Sequence, residues 1–155
     1  MLQRIQSIYL LLAGAAIYSL FLFPLVHNVY VDNKPLTIMV TGVFQDVNGA
    51  QVHTQFFIAL SVVTGIVGLL PLIIVFLYKN RKQQIIYCWI TVLIICGHVF
   101  WMAQVLKSVM GSIEIDTHTW GIGLLLSSFS ILFIILAVKA IQRDEKLVKS
   151  ADRLR

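Results

Sequence analysis

Four long apolar runs, at residues 5–26, 56–78, 85–106 and 120–141, constrain this chain more than anything else in it. None contains Asp or Glu, and their only basic residue is Lys139, close to the end of the fourth. A run of about 22 residues makes about 33 Å of helix, enough to cross the hydrocarbon core of a bilayer. Lipid cannot satisfy a backbone N–H or C=O, so each run must bond internally as a helix. A β-barrel would show short alternating segments instead. The runs raise the hydrophobic share to 59% and leave only 12% charged residues. A 155-residue water-soluble core cannot absorb that excess. The expected fold is an all-α membrane protein, a bundle of four transmembrane helices. The first run has a basic start at Arg4 and a small-residue stretch at Ala13-Gly14-Ala15-Ala16, as a secretory leader would. The apolar residues continue through Val26, well past any cleavage point, so the run is expected to stay as a membrane helix.

An even number of spans puts both termini on one side. That side holds Arg4, Lys79, Arg81, Lys82, Lys139, Arg143, Lys146, Lys149, Arg153 and Arg155, against only Lys34 and Lys107 opposite. Ten basic residues against two orient both termini to the cytoplasm, and a bacterial inner membrane is the expected location. The formal charge of +5 then follows from topology and anionic headgroups, with no need of nucleic acid. Arg4, Lys79, Arg81, Lys82 and Arg143 are the expected lipid or interface anchors. The segment 143–155 is a basic tail, with Leu147, Ala151 and Leu154 at helical spacing.

The first outer loop, residues 27–55, is the one segment with room to fold outside the bilayer. Val29-Tyr30-Val31 is β-prone, Asp32-Asn33-Lys34-Pro35 is a turn cluster, and residues 36–44 are rich in β-branched side chains. Asn48-Gly49 suits a type I′ hairpin, because both central positions need positive φ. A small β-hairpin or three-stranded sheet is expected here, resting on the helix ends or on a partner. Tyr30, Phe44, Asn48 and Gly49 are the candidate partner surface.

Chemistry-bearing residues are few. His98 lies inside the third run, where a polar group is costly and becomes a functional candidate by position alone. With Trp101 three residues on, it could line an apolar pocket for a small molecule, a haem or a quinone. Haem usually wants two axial ligands, and no second histidine lies at that depth. His27, His53 and His118 fall near the outer face at irregular spacings, so no metal site is expected. Cys88 and Cys96 stand eight residues apart on one helix, too far for a disulfide. The Gly, Ala and Ser residues of the first, second and fourth runs suit close helix packing, and Pro71 suits a kink. No phosphate loop, G-x-S-x-G or H-E-x-x-H occurs, and no charge sits at mid-membrane for ion coupling. No enzyme activity and no cofactor are expected.

The opening Gln3-Arg4-Ile5-Gln6-Ser7-Ile8-Tyr9-Leu10-Leu11-Leu12 resembles the start of an uncharacterised bacterial membrane family of Bacteroidota, marked by Q-R-I-Q-x-x-Y-L-L-L. Length, four spans and a basic tail agree over the whole chain. The resemblance implies an inner-membrane protein of unknown function and brings no catalytic residues. The architecture is also similar to claudin-type proteins, but residues 27–55 contain no Trp and no Cys, so their W-x-x-W-C-C signature is missing. The function these features suggest is a non-enzymatic structural or accessory subunit. Its partner would be another protein or a second copy, bound through the outer loop or the tail.

Overall fold

Apolarity and length put helices where the runs are, but their ends follow local chemistry. The structure, a computed structural model, describes residues 3–31, 34–47, 50–78, 80–110 and 121–153. The helices are α1 (Gln3–Tyr18), α2 (Ile58–Val75), α3 (Arg81–Met110) and α4 (Ile122–Arg153). Among the described residues, α2, α3 and α4 are long and apolar enough to cross a membrane. The apolar part of α1, with the 3-10 turn that follows it, is shorter and covers Ile5–Phe21. Only 33%, 28% and 33% of the apolar windows of α2, α3 and α4 are buried inside the protein. The remainder is an outward belt that includes Ile66, Ile73, Trp89, Leu93, Phe100 and Phe129. A monomer in water does not carry a surface of that kind, and these helices mark the chain as a membrane protein.

Three boundaries differ from the sequence expectation. The first run does not stay helical to Val26. After Tyr18 the chain tightens into a 3-10 turn, Ser19–Phe21, where the N–H groups of Leu22 and Phe23 both donate to the Ser19 carbonyl. Phe23 precedes Pro24, which disfavours the helical conformation, and the helix stops before it. The apolar residues beyond are packed rather than lipid-facing: Leu25 and Val26 are buried. The turn expected over residues 79–84 is shorter, because α3 begins at Arg81 and takes Gln84 into its first turn. At its other end α3 runs past Lys107 to Met110, with Leu106 and Met110 both buried. The second run remains one helix through the buried Pro71.

The bundle is up-and-down. The Tyr18 hydroxyl donates to the Gly65 carbonyl at 3.1 Å, while a side chain at Gly14 would run into Leu72, so α1 and α2 are antiparallel. Thr64 meets His98, and Gln84 donates to the Ile74 carbonyl, so α2 and α3 are antiparallel. The Ser130 hydroxyl donates to the Ala13 carbonyl at 3.0 Å across the α1–α4 contact. Some of the small residues bring helices close and others do not: a Cβ at Gly68 would sit 3.1 Å from the Tyr18 ring, whereas one at Gly65 would meet nothing within 4 Å.

Between α1 and α2 lies an antiparallel sheet, β1 (Val26–Val31), β2 (Lys34–Met39), β3 (Gly42–Val47) and β4 (Ala50–Phe56), in sequential order. It takes in more chain than the sequence suggested. The run 36–44 is two strands, since Met39 pairs with Gly42 and leaves Val40 and Thr41 as the turn. Neither residue is a turn former. The bend is held from outside by α2, where the Ser61 hydroxyl reaches the Val40 carbonyl at 3.1 Å. The Phe57 N–H adds a bond to the Thr41 carbonyl at 3.0 Å. Gly42 completes it, because a Cβ there would meet the Gln55 carbonyl oxygen at 2.1 Å. The next hairpin follows expectation: Val47 pairs with Ala50 on either side of Asn48-Gly49, which themselves lie outside the described residues.

The sheet is also tied to α4. The Gly121 N–H donates to the Leu25 carbonyl at 2.9 Å and the Gly123 N–H to the Pro24 carbonyl at 3.1 Å. Free N–H groups at the start of α4 are thus capped by the chain entering β1. A Cβ at Gly121 would lie 2.1 Å from the Pro24 oxygen, so only glycine allows this approach.

Candidate functional site

The buried side of α3 is a stripe spaced by three and four residues: Gln84, Cys88, Thr91, Ile95, His98, Met102, Leu106 and Met110. That spacing keeps one face toward the bundle, and it carries the polar residues of α3 inward. His98 is 4% exposed, and its Nε2 lies 2.8 Å from Thr64 Oγ1. The Thr64 hydroxyl donates its single hydrogen to the Leu60 carbonyl at 2.7 Å. The histidine must therefore donate from Nε2, which leaves Nδ1 as the bare acceptor. Nδ1 is buried and has no partner among the described residues. The relay His98 to Thr64 to Leu60 locks α3 to α2 inside the bilayer region.

Trp101 does not join it. Three residues along the helix turn it off the buried stripe, and it is 38% exposed toward the outward belt. Met102, four residues on, takes the interior position beside His98. A groove between α2 and α3 is lined by Leu70, Ile73, Leu77, Tyr87, Ile90 and Ile94, and includes neither His98 nor Trp101. Ser127, on α4, is a second buried group whose hydroxyl oxygen has no partner among the described residues. Cys88 faces the interior and Cys96 the exterior, both as free thiols.

On the sheet, the candidate surface residues separate. Tyr30 pairs with Pro35 at the β1–β2 register, and its side chain lies outside the described ones. Phe44 is half-buried rather than free. Its ring meets His53 edge-on at 3.8 Å between centroids, and His53 stacks on Phe56 at 4.4 Å with a 12° tilt. This Phe44–His53–Phe56 stack ends on Phe56, which is 67% exposed. The Asn48-Gly49 turn could have revealed its first contact. Counting outward from that dipeptide pairs Val47 with Ala50 and, three steps on, Phe44 with His53. Among the described residues no cluster of three or more His, Cys, Asp or Glu is placed to hold a metal ion. His118 lies outside the described residues, as does the side chain of His27.

Of the expected anchors, Arg81 is half-buried at the start of α3, while Lys82 and Arg143 are exposed. Lys79 and the side chain of Arg4 are outside the described set. All the placed ones lie at the end of the bundle opposite the sheet.

A family model described as a domain of unknown function, DUF4293, matches residues 2–154. The match covers nearly the whole chain, and the chain belongs to that family. No curated protein and no solved structure matches it.

Proposed function

We propose that this member of the DUF4293 family is a four-span protein of the bacterial inner membrane, with both termini cytoplasmic, acting as a non-enzymatic accessory subunit. It would hold a partner, either another protein or a second copy, at the outer face through its sheet. The observation that carries this reading is the free edge of β4. Among the described residues that strand pairs only with β3. Val52, Thr54, Gln55 and Phe56 are exposed along it. An uncovered edge offers unpaired N–H and C=O groups that another extended segment can join, with alternate side chains supplying selectivity. The bonds from α2 and α4 hold the sheet as a rigid platform for such an addition. The charge asymmetry supports the orientation, and the 17 residues or so of Ile5–Phe21 reach the lower limit for a span.

A photo-crosslinking residue at Thr54, used in cells, tests the reading. A stoichiometric adduct with one protein or with a second copy is the expected result. A monomer with no adduct, from a chain shown to be folded and inserted, would overturn it. A thiol-reactive, membrane-impermeant label on Thr54→Cys tests the orientation separately and should react from outside.

A second reading, binding of a small molecule, a haem or a quinone within the bundle, has one observation in its favour, the unpartnered Nδ1 of His98. An absorbance spectrum and metal analysis of the purified protein test it, and a colourless, metal-free preparation would count against the haem form.

A further inference from the structure

A groove of about 290 Å³ lies between α1 and α4 at the end away from the sheet, lined by Ile5, Tyr9, Leu136, Lys139, Ala140, Arg143 and Asp144. That volume is at the lower limit of ligand pockets, which begin at about 300 Å³, and suits a headgroup rather than a whole lipid. Its chemistry is divided between two adjacent rows of α4. Leu136 and Ala140 come first on one row of α4, with Ile5 across from them on α1. Lys139 and Arg143, four residues apart, are exposed neighbours on the adjacent row. Asp144 stands outermost on the Leu136–Ala140 row and is 8% exposed, a carboxylate set into the groove rather than out in water. Neighbouring positions on a helix do not face each other, so Arg143 is not directed at Asp144 by their spacing. A carboxylate this buried needs a cation or donors nearby.

Going away from the sheet along α4, the groove offers Leu136, then Lys139 beside Ala140, then Arg143 beside the buried Asp144. A membrane phospholipid with a primary amine presents the complementary groups: acyl chain, phosphate and ammonium. We propose that this groove is a binding site for phosphatidylethanolamine. Lys139 and Arg143 hold the phosphate, Asp144 accepts hydrogen bonds from the ammonium, and Leu136, Ala140 and Ile5 carry the start of a chain. A purely anionic lipid would satisfy the two cations and leave Asp144 facing a phosphate. A choline lipid would carry the right charges but no N–H to give the carboxylate. The site is independent of any partner on the sheet and requires only that α1 and α4 lie in a bilayer.

Native mass spectrometry of the purified full chain, titrated with lipids of identical chains, tests it. Along the series ethanolamine, monomethyl-, dimethylethanolamine and choline, retention on the wild-type chain should fall stepwise, by about tenfold overall, as charge-assisted donors are removed. Asp144→Asn should bring ethanolamine and choline lipids to parity while phosphatidylglycerol binding persists. The pair Lys139→Gln with Arg143→Gln should weaken every phospholipid. Equal retention across the wild-type series would overturn the proposal without any variant. So would an ethanolamine preference that survives Asp144→Asn, or full phospholipid binding by the double variant.

Discussion

At the sheet end of the bundle, backbone meets backbone. Gly121 and Gly123 give their N–H groups to the carbonyls of Leu25 and Pro24, and Phe57 gives its own to Thr41. At the opposite end, side chains do the joining and the join is loose. Gln84 Nε2 reaches the Ile74 carbonyl at 3.2 Å, its Oε1 stays buried without a partner among the described residues, and the α1–α4 groove opens at the same end of the bundle. The difference teaches where change is tolerated. A backbone seam allows only the residue whose missing Cβ made the approach possible. A side-chain seam can be re-formed, and it leaves polar atoms free to meet a ligand.

The seam at the sheet should fail first. Gly121→Ala puts a methyl group where the Pro24 oxygen stands, and a loss of about 3 kcal/mol or more is expected, read as detergent-phase unfolding. If Gly121→Ala proved neutral, the rigid-platform view of the sheet would go with it. Between the two ends lies the His98 relay. Thr64→Val keeps the shape and removes the acceptor for Nε2, so a loss of about 1–2 kcal/mol is expected in the same assay. Ser130→Ala deletes one interhelical bond, from the Ser130 hydroxyl to the Ala13 carbonyl, and should cost about 0.6 kcal/mol. At the loose end, Gln84→Leu should change stability by less than about 1 kcal/mol. The Ile74 carbonyl also accepts from the Leu77 N–H, and the substitution removes a buried oxygen that had no partner. A large loss there would erase the contrast between the ends. The smallest effect on folding is expected from Val52→Lys on the β4 edge, which should leave the unfolding curve in place and abolish the adduct formed from position 54.

The features that could be read from the chain are those with a single cause. Runs without charge and 22 or so residues long have few fates, and three of the four became helices fit to span a membrane. Asn48-Gly49 fixed a hairpin register because two-residue turns leave no freedom in the pairing. What escaped has two causes acting together. Leu25 and Val26 read as more of the first span because burial in the protein and immersion in lipid select the same side chains. Only Pro24 carried a signal of the break. The Val40-Thr41 turn has no local signature, since its bonds come from Ser61 on α2 and from Phe57 just before that helix. Tertiary contacts made that turn, and Gly42 is its only trace in the sequence. His98 was visible as a polar intruder, but its partner was not. Thr64 is one of several hydroxyls in the second run, and helix pairing alone decides which one the imidazole meets. The α1–α4 groove was hidden for the same reason. Arg143 looked like an ordinary interface anchor, Lys139 like the basic end of a span, and Asp144 like one acid in a basic tail.

The brevity of α1 has a mechanical consequence. Its apolar stretch covers Ile5–Phe21, about 25 Å of rise, and α2 covers Ile58–Val75, about 27 Å, beside α3 and α4, which are long enough for a core of about 30 Å. The protein thus carries a hydrophobic belt of uneven height. Lipid against the α1 side must compress or draw its headgroups inward, at a fraction of a kcal/mol for each Å of mismatch. That penalty falls when the molecule enters a thinner membrane. It also falls when two copies bring their short sides together and share one dimple.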